Sequence, residues 1–467
     1  MYIAAVNSVL FPPESVVGFP GPTPTGQEPA AIQTAKSYPY NDGSSNSYPL
    51  IKPQPHGSGS ESPAFDISKY WGNLAPWYSV RSADYGLPDA NPLVPAGCDV
   101  TQVHLLYRHG ARYPTSGAAP QTFAQKLVNA TKTGFSVSGD LSFLSEWTYK
   151  LGAELLTPFG RSQNFLLGVE YRQLYGHLLN NFTESKTIPV FRTESQDRMV
   201  KTAENFAAGF FGVPEYMSEV NIEILVEAQN VNNSGAAYEV CPNSNIASKG
   251  SIGSTVASRF AVNAFNSTLA RLQSQAKGVN FTSTDAIAML QLCSYETHAL
   301  GYSAFCDLFT EEDFLNYEYY FDLSFYYNNG PGSPVAAAQG KGYLDEWIAR
   351  FTGQYVQFIA YDQDVLLILS RYPGANSALN QTFDNSTTYF PLNQSIYADA
   401  THEVIVLDTL TAFNFTALFN GPPLSPTGNQ KRNSFVASKL VPFATHFTTQ
   451  VLTCKAMQPT KQIRFIV

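Results

Sequence analysis

Nothing in this chain crosses a membrane by the usual sequence criterion, because no run of about 18 apolar residues occurs in it. Metal-binding and redox signatures are equally scarce. No two of the five cysteines form a C-x-x-C pair, which argues against zinc or thioredoxin-type chemistry. There is no H-E-x-x-H pair, and His56, His177, His298 and His446 show no metal-ligand spacing. A G-x-S-x-G elbow, a P-loop and a G-x-G-x-x-G turn are all missing. Charge is sparse too: only 14% of residues are Asp, Glu, Lys or Arg, and the net charge of -9 argues against nucleic acid as a main partner. No internal repeat is visible.

What is present is a 467-residue chain, 44% apolar and 13% aromatic, long enough to bury a large core in two lobes. N-glycosylation sequons recur at Asn129, Asn181, Asn232, Asn266, Asn280, Asn380, Asn385, Asn393 and Asn414. With low charge and scattered cysteines they favour a secreted or extracellular protein. The N-terminus disagrees, since Met1 to Phe11 lacks a positive n-region and makes a poor signal peptide. Residues 1–66 read as a flexible arm. Segments such as Gly57-Ser58-Gly59-Ser60 bury too little apolar surface to offset their ordering entropy.

The folded part begins near Ile67. Strands are expected at Val103 to Tyr107, Ile188 to Phe191 and Ile396 to Ala400, with helical patterns between them. The clearest helix runs from about Glu194 to Phe211, with Met199, Ala203, Phe206, Ala207 and Phe210 on one face. Thr193 and Gln196 resemble its capping box, and Gly212 its C-cap. Glu403 to Phe415 is apolar and long enough to favour helix. Strands alternating with helices predict an α/β fold with a mixed, largely parallel sheet. Ligands of such sheets sit beyond the carboxyl ends of the strands. Arg108 and His109 follow one expected strand, Arg192 a second, and His402 and Glu403 a third.

The segment that carries most of the functional signal is Arg108-His109-Gly110-Ala111-Arg112-Tyr113-Pro114. Gly110 is read as the residue that lets the backbone turn sharply. Two guanidiniums beside one imidazole suit a bound phosphoryl group better than a packed core. Arginine offers a planar fork for phosphate oxygens, and histidine a nucleophilic nitrogen.

This stretch resembles the active-site signature of the histidine acid phosphatases, the branch of the histidine phosphatase superfamily that includes fungal phytases. The resemblance runs from about Trp71 to the end of the chain. Trp71-Gly72-Asn73-Leu74, Arg192-Thr193-Glu194-Ser195-Gln196-Asp197-Arg198, Cys306-Asp307-Leu308-Phe309-Thr310, Gly330-Pro331-Gly332 and Phe390-Pro391-Leu392-Asn393 share in it. It implies a discontinuous α/β phosphatase domain, 67–214 and 326–467, with an inserted smaller helical lobe at 215–325. It implies hydrolysis of a phosphomonoester through a phosphohistidine on His109. Arg108, Arg112, Arg192 and His402 would bind phosphate, and no metal or other cofactor would take part. Glu403 stands where the family has an aspartate proton donor. Its extra methylene shifts the proton by about 1 Å, a displacement that can matter for rate. Asp399 is a rival donor, better read as fixing local structure.

The same resemblance pairs Cys98 with Cys454 and Cys293 with Cys306. Cys241 is left alone, because the chain ends at a strand-like Ile463 to Val467, before the family's usual end, and so reads as truncated at its C-terminus. His104 reads as a core histidine with its hydrogen bonds satisfied. Lys126 and Lys201 could extend a positive rim, though solvated surface lysine is the better reading of each. The stretch Tyr355 to Leu369 is more apolar than the family pattern, and Asp362 and Asp364 in it look structural or solvated. Phytate is the first substrate expected. A broad-specificity phosphomonoesterase and a catalytically impaired, phosphate-binding relative are the alternatives, and a purely structural glycoprotein ranks below both. Position of attack and oligomeric state are not legible.

Overall fold

The apolar run Val103 to Tyr107 lies in the middle of an 11-residue strand, β1 (Cys98–Arg108). Burial alternates at the start of β1 and becomes continuous from Val103 to Arg108, as expected where a strand passes from a half-open face to one covered on both sides. Five further strands complete its sheet: β2 (Val190–Glu194), β3 (Asn221–Leu225), β4 (Ile396–Thr401), β5 (His446–Cys454) and β6 (Lys461–Ile466). Their spatial order is β3-β2-β4-β1-β5-β6. The first four are mutually parallel, β5 runs antiparallel to β1, and β6 runs antiparallel to β5. This computed structural model describes residues 55–56, 65–91, 93–179, 187–355, 378–428 and 434–467. The readings of Asp362, Asp364 and most of the 1–66 arm fall outside the described residues.

Helices cover both faces. The principal ones are α1 (Ala119–Thr131), α2 (Pro158–Tyr175), α3 (Asp197–Phe211), α4 (Ile252–Ala264), α5 (Ser283–Leu300), α6 (Glu311–Asn328), α7 (Ala336–Thr352) and α8 (Glu403–Ala412). On one face, Val103, Leu105 and Tyr107 of β1 pack with Leu167 and Tyr171 of α2 and Met199, Phe206 and Phe210 of α3. α2 and α3 approach closely because a Cβ at Gly168 would lie 2.1 Å from the Phe206 carbonyl oxygen. On the other face Leu106 joins a large cluster with Leu290 of α5, Phe314 of α6, Val406 of α8 and Phe447 of β5. The mixed sheet flanked by helices is the fold class expected.

Three expectations change. The helix drawn from Glu194 starts at Asp197, and Gln196 is its N-cap without a side-chain cap bond. Thr193 lies in β2 and donates its hydroxyl to the Met199 carbonyl at 2.8 Å, so no capping box forms. Gly212 does close this helix, with φ +99°. The segment 215–325 is not purely helical: Asn221–Leu225 is the edge strand β3, and the lobe's first long helix starts at Ile252. Asn221-Ile222-Glu223-Ile224 does alternate polar and apolar residues, but the run is too short to mark a strand by itself. His104 is buried and stacks on Tyr397 with ring centroids 4.8 Å apart, but neither ring nitrogen has a hydrogen-bond partner among the described residues. Burial, with Arg350 nearby, pushes it down to about 3.

Cys98 bonds Cys454 and Cys293 bonds Cys306, while Cys241 is free. The first bridge joins residues paired across β1 and β5 and closes a loop of 356 residues. Replacing Cys98 and Cys454 by serine should cost about 2–5 kcal/mol, read as a lower midpoint in guanidinium unfolding. An unchanged midpoint would show that the strand pairing alone holds this corner.

Candidate active site

The parallel register of β1 and β4 sets Arg108 beside Thr401. The next residue of each strand is a histidine, so His109 and His402 emerge side by side, with ring centroids 5.6 Å apart. The loop after β1 is then clamped onto the first turns of α2. Gly110 N–H donates to Asn164 Oδ1 at 2.9 Å, and Ala111 N–H to Gln163 Oε1 at 2.8 Å. Thr157, the N-cap of α2, donates its hydroxyl to the Ala111 carbonyl. A Cβ at Gly110 would sit 2.1 Å from the Gly160 carbonyl oxygen, and one at Gly160 would sit 1.9 Å from that of Ala111. Gly110 is therefore required for close approach of two backbones, not for a sharp turn.

His109 is fully buried. Its Nδ1 lies 2.8 Å from the Gly110 carbonyl, which fixes the proton on Nδ1 and leaves the lone pair on Nε2. Nε2 has no hydrogen-bond partner among the described residues. Burial above all, then Arg108, Arg112 and Arg198, hold the ring well below the ordinary histidine range, against Glu403. It is thus a neutral imidazole with a free nucleophilic nitrogen. Arg108 is buried with it, donating from Nη1 to the Val441 and Asn73 carbonyls and from Nε to Glu403 Oε2 at 2.9 Å. Its plane lies over Phe443. Arg108 Nη2, Arg112 Nε and Arg198 Nε are also buried without partners among the described residues. Unpaired buried N–H groups are costly. They belong to the three arginines whose charge acts on the His109 ring, a set that could pair with a tetrahedral anion.

Arg192 does not join this group. It lies opposite Asp399 in the sheet, level with Leu106 and so two residues short of the strand ends. Its Nε and Nη2 bind Asp399 Oδ1 and Glu346 Oε2, each at 2.6 Å. Arg350 of α7 holds Asp399 from the other side. Asp399 is pulled well below the usual carboxylate range by the two arginines, against its burial. It fixes local structure and is no proton donor. Arg198, on the first turn of α3, supplies the third guanidinium. It pairs with Glu154 Oε2 at 2.8 Å, and burial and Arg112 lower its pKa. The sequence contained the clue: Arg198 follows the end of β2 at a helix start, where such sheets present ligand groups, whereas Arg192 falls inside the strand.

Glu403 is the first residue of α8, with His402 as its N-cap. Its Oε2 lies 3.6 Å from His109 Nε2, and Asn73 donates to Oε1 at 3.2 Å. Burial would raise its pKa, but Arg108 above all, with Arg112, holds it well below the usual range, so it is ionised. His402 Nε2 lies 3.0 Å from Glu227 Oε2. Ligand atoms of His109, His402 and Glu403 fall within 4.8 Å of one another and could hold a metal ion. The adjoining guanidiniums make an anion the better fit. Lys126 and Lys201 are tied to Asp285 and Glu204.

Comparison with known proteins gives the family. Residues 99–467 match the histidine phosphatase superfamily (branch 2). The chain is 29% identical to Phytase A of Aspergillus awamori over 409 residues, covering 84% of this chain and 80% of that protein. It is 30% identical to Phytase A of Emericella nidulans over 410 residues, 84% and 81% of the two chains. Among solved structures, the phytase from D. castellii superposes with a TM-score of 0.65 at 20% identity, covering 87% of this chain and 81% of that one. The multiple inositol polyphosphate phosphatase of Bifidobacterium longum, complexed with inositol hexasulfate, superposes with a TM-score of 0.53 at 13% identity, covering 85% and 91%.

The two arginines should separate cleanly on mutation. Arg192→Ala removes the guanidinium that Glu346 pairs with in the core and leaves Asp399 to Arg350, and it should destabilise the fold by about 3–5 kcal/mol, seen in thermal unfolding. Arg198→Ala removes a half-open ion pair and should leave stability within about 1 kcal/mol. Its rate of phosphate release should fall by about 10²-fold or more.

Proposed function

The chain belongs to branch 2 of the histidine phosphatase superfamily and is a phytase-like acid phosphatase, and we propose that it hydrolyses phosphomonoesters through a phosphohistidine on His109. The observation that carries the residue assignment is the buried, unpartnered Nε2 of His109, its tautomer fixed by Gly110, among unpaired guanidinium nitrogens of Arg108, Arg112 and Arg198. Nε2 attacks phosphorus as the ester P–O bond breaks. The arginines and His402 bind the phosphoryl oxygens and stabilise their charge. Glu403 gives the leaving oxygen its proton. Water then forms a new O–P bond, the N–P bond breaks, and a proton returns to Glu403.

Glu403 is ionised in the free protein, so the proton arrives with the substrate. A phosphomonoester monoanion carries one proton, and beside the phosphoryl charge that proton passes to Glu403. The monoanion is lost above the second ionisation of the ester, at a pH of about 6. An acidic optimum follows.

Inositol polyphosphates are the first substrate class proposed, from the relatives named Phytase A. A broad-specificity monoesterase is the second reading. It is favoured by Lys126 and Lys201 being neutralised by Asp285 and Glu204, and by Glu154 and Glu227 standing next to the site. Among the described residues no helix is long and apolar enough to cross a membrane. Secretion is proposed from the sequons and the two disulfides.

Phosphate release from phytate and from an aryl phosphate, with EDTA present and His109→Ala as control, tests the reading. Release abolished in the variant supports it, and the ratio of the two substrates decides between phytase and general phosphatase. No release from either by the folded wild type overturns the hydrolase reading. The logarithm of kcat/KM for the aryl phosphate should fall with a slope of about -1 per pH unit above a pH of about 6. Glu403→Gln should lose turnover most on esters with poor leaving groups; equal loss on good ones would remove Glu403 as the donor.

A further inference from the structure

His402 leaves β4 as the N-cap of α8, but its side chain makes no cap bond. What holds the ring is Glu227, which follows β3 and belongs to none of the signature segments. His402 Nε2 and Glu227 Oε2 are 3.0 Å apart, with the two side chains 6% and 3% exposed. Glu227 is fixed from three further directions. Tyr238 donates its hydroxyl to Oε1 at 2.6 Å, Gln196 donates its amide to the same oxygen, and the Glu227 backbone N–H donates to Ser195 Oγ at 2.9 Å. The carboxyl is held below the usual range against burial, by the bond to His402, by Tyr238 and by Arg198. A buried carboxylate that accepts from three side chains is an oriented acceptor, not a solvated surface charge.

We propose that Glu227 is the positioning residue of this site: it holds His402 by Nε2, so that Nδ1 is the nitrogen presented to the phosphoryl group. Glu227 is then the fixed acceptor behind the ring. Tyr238 and Gln196 keep that carboxylate from swinging onto Arg198, which Glu154 already occupies. Glu227 touches no reacting atom; its effect passes through His402. The arrangement parallels the buried aspartate that orients the histidine of a serine protease triad, here on a phosphate ligand instead of a base.

This inference rests on the phosphatase reading of His402, and a double-mutant cycle tests it. Wild type, Glu227→Ala, His402→Ala and the double variant are compared by kcat/KM for an aryl phosphate and by Ki for inorganic phosphate. Glu227→Ala should lower kcat/KM about tenfold or more in the wild-type background and by no more than about twofold when His402 is already alanine. Phosphate affinity should follow the same pattern. An equal loss in both backgrounds, or no loss in the first, overturns the proposal, since a merely structural carboxylate would act independently of His402. If Glu227→Ala does not fold, Glu227→Gln, which keeps the volume and one acceptor, replaces it in the cycle. If the wild type releases no phosphate at all, the hydrolase reading fails separately. The cycle is then read from calorimetric affinity for inorganic phosphate, and absence of coupling there overturns the positioning role.

Discussion

The pairing of Arg108 with Thr401 across two parallel strands is the constraint on which everything else depends. Parallel strands end at the same edge, so one register places two residues that are 293 positions apart, His109 and His402, at a single point. Shifting that register by one residue would turn each side chain to the opposite face. The sheet's edges and the helices packed on it can be understood as what keeps this register in place. β5 completes the other flank of β1, and Cys98–Cys454 locks that flank at its far end.

Charge at the site is balanced in pairs. Arg108 faces Glu403, Arg198 faces Glu154, and His402 faces Glu227. The two arginine pairings lower the desolvation cost of burying their guanidiniums, which is how an acidic protein keeps them in its interior. The pairs differ in kind. Glu227 is pinned by neighbours, whereas Glu154 is 40% exposed. In the proposed mechanism Glu403 shares Arg108 with the incoming anion, so that buried salt bridge is poised between two partners.

β1 was legible in sequence because its apolar run Val103 to Tyr107 is continuous and ends in polar residues; the pattern of β2 places it two to three residues early, at Ile188 to Phe191 instead of Val190–Glu194. The helix face from Met199 to Phe210 was legible because its period is regular. Arg108, His109, Arg112, His402 and Glu403 were legible as a local motif. Arg192 was not placed correctly, because two arginines flank the strand-to-helix junction and only the sheet register shows which one reaches the edge. Glu227 and Glu154 were invisible for a different reason: a carboxylate that acts by facing a distant residue carries no local pattern. Gly110 was found, but with the wrong cause, since close backbone approach is a property of two segments and neither alone reveals it.

The contact between the loop after β1 and the start of α2 has an evolutionary corollary. At Gly110 and at Gly160 the obstructing atom is a main-chain oxygen of the other segment, not a side chain. No replacement elsewhere can make room for a methyl group at either place. The two positions therefore cannot covary or compensate each other, and each must be inherited unchanged. In a saturation library selected for activity, both would empty of every alternative while the arginines around them still tolerated weak survivors. The least chemical residues of the site would be its most rigid hereditary markers.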